Sequence, residues 1–285
     1  MVFLASVSHL ILNEKAGNPP ASWRFIDQQP PCPEFQLDPQ GPTVLLLPPP
    51  ALPQDASLFL DFDGTLVELA DQPDAVTAGD RVRALVQRLL DKLDGRLAVV
   101  SGREVDFVRD RIGISALPIA GSHGQELHFG DGSHETPPPP VVLAALAETL
   151  DREAARHPGV LVERKPLGVA LHYRQVPEME AWSRALATEL AERHGLQLQP
   201  GKMMIELRSA GGDKGTAVAR FLERAPFAGT TPIMVGDDLT DEPGFASAVA
   251  GGGWGVLVGA PRETAARYFL RGVPQVLDWL ERSAA

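Results

Sequence analysis

The chain has 285 residues, with 26 Lys+Arg against 37 Asp+Glu and a formal net charge of −11. That balance argues against a mainly electrostatic nucleic-acid partner, whose phosphates demand clustered Lys and Arg. It leaves room for a small anion held by a few local cations. A single cysteine, Cys32, excludes an internal disulfide framework and a Cys-based zinc site.

Of the 26 prolines, 11 fall between Pro19 and Pro53. Residues 1–53 carry neither helical nor alternating periodicity, and proline supplies no donor to a helix or sheet. They read as a Pro-rich extension, poorly ordered or loosely docked. The run Val2 to Leu12 is apolar but lacks a basic flank and a small-residue cleavage site, so no secretory leader is expected. No window approaches ~18 uninterrupted apolar residues, so no membrane span is expected and the cytoplasm is the expected compartment.

From Ser57 a rhythm sets in. Ser57 to Leu60 is a short apolar run that ends in Asp61-Phe62-Asp63-Gly64-Thr65, as a strand covered on both faces would. Asp80 to Leu93 places Val82, Leu85, Val86, Leu89, Leu90 and Leu93 on one helical face, and Asp94-Gly95 stops it. Leu97 to Val100 is a second strand ending in Ser101-Gly102-Arg103. A helix over Val105 to Ile112 leads to a third apolar run, Leu117 to Ala120. Strand, polar turn and helix in alternation predict an α/β doubly wound, parallel-sheet, Rossmann-like core.

The rhythm breaks at Pro137 to Pro140. A helix (Val141 to His157), two strands (Val160 to Arg164, Gly168 to Tyr173), a helix (Glu178 to His194) and two strands (Leu196 to Gln199, Met203 to Leu207) follow. This is the pattern of a smaller α+β insert. After Gly211-Gly212 the first rhythm resumes. Lys214 opens a helix, Pro232 to Val235 is a strand ending in Gly236-Asp237-Asp238, and Gly255 to Val258 is another strand. Helices over Glu263 to Leu270 and Pro274 to Arg282 complete the chain. The expected organisation is a discontinuous core, 54–135 and 210–285, with an inserted cap domain at 136–209. Hinges are expected near Pro137–Pro140 and Ser209–Gly212.

In open parallel sheets ligands bind at the carboxyl ends of strands. Three such ends carry polar clusters here, and Lys214 stands at a helix start. The turn at Gly64 can bring Asp61 and Asp63 to one site. There their like charges require a cation or a proton between them. Oxygen donors beside a phosphate suit Mg²⁺. Taken alone, an Asp-x-Asp pair is more readily a helix cap or a loop pair.

The segments DFDGT, SGR, DKG and GDDLTDE, in that order, resemble the four motifs of the haloacid-dehalogenase-like phosphohydrolases. The resemblance spans Ala56 to Leu280. It implies Asp61 as the nucleophile that forms an aspartyl-phosphate and Asp63 as general acid, then base. Ser101, Gly102, Arg103 and Lys214 would hold the phosphoryl group. Asp61, Asp63 (through its carbonyl) and Asp237 would hold Mg²⁺, with Asp238 and Asp241 orienting the ligands or Lys214. The stretches GSHGQE, VERKPLGVALHYR, PGKMMIELR and DQPDAV resemble the trehalose-6-phosphate phosphatase family in particular. That implies hydrolysis of trehalose 6-phosphate to trehalose and phosphate. Glu163, Lys165 and Glu206 from the cap, and His123 and Glu126 from the core, would bind the sugar, with Lys202 and Arg208 helping.

Blander readings stand beside several of these. Glu163 and Lys165 share one strand face and could be a solvated ion-pair ladder, His123 could be a hydrogen-bonded loop residue, and Arg103 could anchor its own helix. Ser122 and Ala250 stand where the family often has Asn. Alternative substrates are sucrose 6-phosphate or a mannosylglycerate phosphate, and a non-catalytic trehalose-phosphate sensor is the reading outside enzymes. The expected partner is a small sugar phosphate, with no nucleic acid and no membrane. The oligomeric state is not legible, with a monomer favoured.

Overall fold

A computed structural model of the protein describes residues 47–69, 76–201 and 203–285. Most of the N-terminal extension (1–46), most of the DQPDAV stretch and Lys202 lie outside the described residues.

The larger sheet has eight strands: β1 (Ala56–Leu60), β2 (Leu97–Val100), β3 (Ile119–Gly121), β4 (Glu126–His128), β5 (His134–Glu135), β10 (Thr231–Gly236), β11 (Trp254–Val258) and β12 (Tyr268–Leu270). Their order is β12-β11-β10-β1-β2-β3-β4-β5. All pairings from β12 to β3 are parallel, and β3-β4-β5 is antiparallel.

The parallel strands are apolar because both faces are covered. Ala56, Leu58 and Leu60 of β1 face one way, with the buried faces of α1 (Asp80–Lys92), α2 (Val105–Ile112) and α7 (Val273–Ala284). Phe59 faces the other way, towards α5 (Lys214–Leu222) and α6 (Glu242–Ala250). There it lies 6.0 Å from the Phe221 ring and 5.5 Å from that of Phe227. Removing a fully buried Phe of this kind costs about 3–5 kcal/mol. The doubly wound core expected from the sequence is therefore present.

A second sheet of four antiparallel strands comes from the chain between β5 and α5. Its strands are β6 (Leu161–Lys165), β7 (Gly168–His172), β8 (Gln197–Gly201) and β9 (Met204–Arg208), in the order β6-β7-β9-β8. One face buries Val169, Leu171, Ile205 and Leu207 against α3 (Leu143–Ala154) and α4 (Glu180–His194). By alternation the other face carries Glu163, Lys165, His172, Glu206 and Arg208.

Three elements differ from expectation. The segment 263–270 is not a helix. Thr264 Oγ1 accepts from Ala266 N at 3.0 Å and Glu242 Oε2 accepts from Ala265 N at 2.8 Å. These side chains take donors that a helix would need, and Tyr268 to Leu270 pair with β11 instead. The β4-β5 hairpin was not expected, because strands of three and two residues show no periodicity. The same holds for α6, whose apolar residues form no single stripe. At the end of the extension, Leu47 bridges to Tyr268, and Pro50 O accepts from Trp279 Nε1 at 2.9 Å.

Candidate active site

β10, β1 and β2 are neighbours, so Asp237, Asp61 and Ser101, each next after its strand, emerge side by side. This is where the winding reverses about β1, the place where open α/β sheets form a crevice. From the helix layer α5 delivers Lys214 as its first residue. Asp213 caps that helix, its Oδ1 accepting from Thr216 N at 2.7 Å, which fixes where Lys214 begins.

Lys214 Nζ donates to Asp61 Oδ1 and to Asp241 Oδ1, each at 2.7 Å. All three side chains are buried. Carboxylate oxygens of Asp61, Asp237 and Asp241 lie within 4.8 Å of one another. Burial pushes Asp61 well above the usual carboxylate range; Lys214 opposes this, while Asp241 and Asp237 add to it. Burial and Asp241 likewise raise Asp237 to about 6. Burial alone would lower Lys214, yet Asp241 and Asp61 together raise it. Three carboxyl groups share one ammonium, too little positive charge for all of them to ionise freely without a further cation. All the donors are hard oxygens, so the set suits a divalent cation such as Mg²⁺ or Ca²⁺. Asp241 thus joins this cluster directly, whereas the Asp63 side chain does not.

Two glycines make the approach possible. Gly64 has φ +82°, and a Cβ there would lie 2.2 Å from Asp237 Oδ2. A Cβ on Gly236 would lie 2.2 Å from Asp241 Cγ. Any side chain at either position would push the acidic loop away.

Asp63 is turned to Arg103, whose Nε donates to Oδ2 at 2.8 Å and Nη2 to Oδ1 at 3.0 Å. The same guanidinium lies 4.8 Å from the Phe107 ring centroid. Ser101 Oγ is buried and accepts from Arg103 N at 3.0 Å, closing the SGR turn. His123 sits on this turn. Its N–H donates to Ser101 O at 2.9 Å, and a Cβ on Gly102 would meet His123 Cε1 at 2.5 Å. Its backbone is left-handed (φ 57°), and Nδ1 is buried without a partner among the described residues. Burial holds the imidazole well below its ordinary pKa, and the charges of Lys214, Lys165 and Arg208 lower it further. These effects favour the neutral imidazole.

On that face Lys165 Nζ donates to Glu206 Oε2 at 2.6 Å, and His172 Nε2 lies 2.7 Å from Glu163 Oε2. The remaining residues singled out in the sequence have other partners. Glu126 is buried, with Oε2 accepting from Val105 N at 3.3 Å and Oε1 from Ser122 Oγ at 2.5 Å, so it braces core loops. Arg208 is buried and among the described residues donates to carbonyls: Ser122 O at 3.3 Å, Gly211 O at 3.4 Å and Gly212 O at 2.7 Å. Asp238 faces solvent and caps its own turn, accepting from Leu239 N at 2.6 Å.

Sequence reasoning passed over three residues. His172 lies in a stretch quoted only for its resemblance. Glu104 adjoins the SGR motif, and burial raises its pKa, with Glu126 and Glu163 adding and Lys165 opposing. Arg262 pairs with Glu242 and donates to Asp238 O at 2.8 Å, tying the last loop to the acidic one. In the sequence it is one of several Arg residues after Gly259 and nothing sets it apart.

The architecture is that of haloacid-dehalogenase-like hydrolases. One such hydrolase from Bacteroides thetaiotaomicron superposes with a TM-score of 0.58 at 18% identity, covering 81% of this chain and 99% of that one. At that identity the likeness bears on fold alone. The sequence goes further, for the profile of the trehalose-phosphatase family matches residues 59–274. The trehalose-6-phosphate phosphatase of Escherichia coli strain K12 is 38% identical over 234 residues, 81% of this chain and 88% of its own. A crystal structure of a trehalose-6-phosphate phosphatase related protein superposes with a TM-score of 0.69 at 26% identity, covering 80% of this chain and 96% of that one. The chain belongs to the trehalose-phosphatase family.

Proposed function

We propose that the protein hydrolyses trehalose 6-phosphate to trehalose and inorganic phosphate, with Mg²⁺ as cofactor and Asp61 as nucleophile. The observation that carries this is Lys214 bridging Asp61 and Asp241 at 2.7 Å beside Asp237, in a chain of this family.

Asp61 attacks phosphorus and the bond to the sugar oxygen breaks. Asp63 gives that oxygen its proton. The aspartyl-phosphate is then attacked at phosphorus by water, from which Asp63 takes a proton. Phosphate leaves and Asp61 is regenerated. Lys214 offsets the repulsion between carboxylate and phosphate dianion and, with Ser101 Oγ, holds phosphoryl oxygens. Asp61, Asp237 and the Asp63 carbonyl would hold Mg²⁺, with Asp241 beside them, and the ion would supply positive charge to the transferring group.

The insert, 136–209, is the cap. It presents Glu163, Lys165 and Glu206 to the sugar, alternating acceptors and donors that suit a hydroxyl-rich ligand. Arg208, on the polar face of the second sheet, donates to Ser122 O of the core at 3.3 Å, which supports a polar face turned towards the core site. The test is phosphate release from trehalose 6-phosphate, sucrose 6-phosphate and a mannosylglycerate phosphate, with and without Mg²⁺. Mg²⁺-dependent turnover fastest on trehalose 6-phosphate is expected. Turnover by wild type no better than by Asp61→Asn rejects the proposal, and faster turnover of another sugar phosphate reassigns the substrate.

A further inference from the structure

On the polar face of the second sheet, His172 contacts a proposed sugar-binding carboxylate and has no role in the assignments above. We propose that His172 is a specificity-determining positioning residue. On this proposal it fixes the carboxylate of Glu163 in the orientation that receives a sugar hydroxyl. The inference rests on the phosphatase reading and names a further part of the same site.

The register sets the geometry. Glu163 on β6 lies directly opposite Ala170 on β7, and His172 stands two residues along, opposite Leu161. His172 is thus the diagonal neighbour of Glu163 on one face, a separation that long side chains span. The residue directly opposite is only Ala170, so nothing there holds the Glu163 side chain. Across β7, the residue level with Glu163 is Glu206 on β9, whose own carboxylate is taken by Lys165 at 2.6 Å. Room for that pair comes from Gly168, where a Cβ would lie 2.7 Å from Glu206 Oε1. Without His172, then, Glu163 would have several rotamers open to it.

The 2.7 Å contact from His172 Nε2 to Glu163 Oε2 removes that choice. Nε2 donates in the protonated ring and in the Nε2–H tautomer alike, so the bond does not need a charged histidine. One carboxylate oxygen is occupied, and among the described residues the other has no hydrogen-bond donor and keeps its lone pairs for a ligand. A Glu side chain loses several rotatable bonds when a ligand immobilises it, and fixing it beforehand strengthens binding. Glu163 is also half-exposed, unlike the buried Glu206. It is therefore the acceptor on this face that most needs a second residue to hold it. The Glu163–His172 pair and the Lys165–Glu206 pair together make a row of alternating donors and acceptors fitted to adjacent hydroxyls.

The test is a double-mutant cycle read by steady-state kinetics on trehalose 6-phosphate in Mg²⁺. Its variants are His172→Leu, His172→Gln, Glu163→Ala and Glu163→Ala/His172→Leu, with thermal midpoints confirming that each folds. His172→Leu is expected to raise KM about tenfold with kcat within about twofold. For a small aryl phosphate, which has no sugar, KM should not follow. His172→Gln, which keeps an N–H donor, should restore KM to within about threefold, and the double variant should match Glu163→Ala to within about twofold. Effects of Glu163→Ala and His172→Leu that simply multiply, or an unchanged KM in His172→Leu, overturn the assignment. Should His172→Leu not fold, a tenfold rise in KM for His172→Gln overturns it equally. If wild type does not turn over trehalose 6-phosphate at all, the phosphatase reading falls first and takes this assignment with it.

Discussion

Arg103 grips both carboxylate oxygens of Asp63, with Nε to Oδ2 at 2.8 Å and Nη2 to Oδ1 at 3.0 Å. The pair joins the first and second motifs across the adjacent strands β1 and β2. Only a planar fork makes this contact. Arg103 therefore aims the residue proposed to protonate the leaving group. Arg103→Met is expected to lower kcat about 10–100-fold on trehalose 6-phosphate, with less loss on an aryl phosphate, whose leaving group needs little protonation. Arg103→Lys should recover only part of the loss. Equal activity of Arg103→Met and wild type on the sugar phosphate would remove Arg103 from the mechanism.

Gly64 combines a left-handed backbone with a Cβ position 2.2 Å from Asp237 Oδ2. Gly64→Ala should lower stability by about 1–2 kcal/mol through its backbone alone. It should also displace Asp237, so that Mg²⁺ no longer raises the thermal midpoint. A Gly64→Ala protein that Mg²⁺ stabilises as it does wild type contradicts the crowding read from the structure.

The acidic cluster links cation binding to pH. Asp237 has a folded pKa near 6, above the ~3.9 of an unfolded aspartate. The cation-free folded state therefore binds more protons between these values. Its stability falls as pH rises from about 4 through about 6. A bound divalent cation requires the carboxylate and removes the penalty. The gain in thermal midpoint on adding Mg²⁺ to chelator-treated protein should be larger at pH 7.5 than at pH 5. Mg²⁺ binding near pH 6 should release protons, measurable by calorimetry in buffers of different ionisation enthalpy. A gain independent of pH would count against this linkage.

Arg208 behaves as a pin at the second crossing. It is buried, burial lowers its pKa, and its guanidinium is shared among three carbonyls at 122, 211 and 212. Removing it takes the donor from Gly212 O, at about 1–3 kcal/mol where that carbonyl is left without another partner, whereas Ser122 O keeps Gln125 N and Gly211 is exposed. Arg208→Met should lower the thermal midpoint and reduce turnover of sugar and aryl phosphates together. A loss confined to KM for trehalose 6-phosphate would return Arg208 to the sugar-binding role that the resemblance implied.

Much of this was legible in the chain, for a physical reason. Strands covered on both faces must be apolar and must stop where the ligand begins. The runs ending at Asp61, Ser101 and Asp237 therefore located the crevice before any geometry was known. Residues whose roles depend on how a turn closes were not legible. Asp238 and Asp241 look alike in GDDLTDE. Only the short helical turn Leu239–Asp241 sends Asp241 inward to Lys214 and leaves Asp238 capping at the surface. Glu126 reads as a sugar ligand until Ser122 Oγ and Val105 N take its oxygens. The stretch 263–270 has helical composition, and what decides against a helix is the open edge of β11 and the hold of Glu242 on Ala265. Both are long-range.

The central claim is that the strand-end loops perform the chemistry and the inserted sheet chooses the sugar. Its most direct test is kcat/KM of Glu206→Ala on trehalose 6-phosphate and on a small aryl phosphate. A fall of about 100-fold or more on the sugar phosphate, with the aryl phosphate within about threefold of wild type, is the predicted result. Equal losses on both substrates would contradict it.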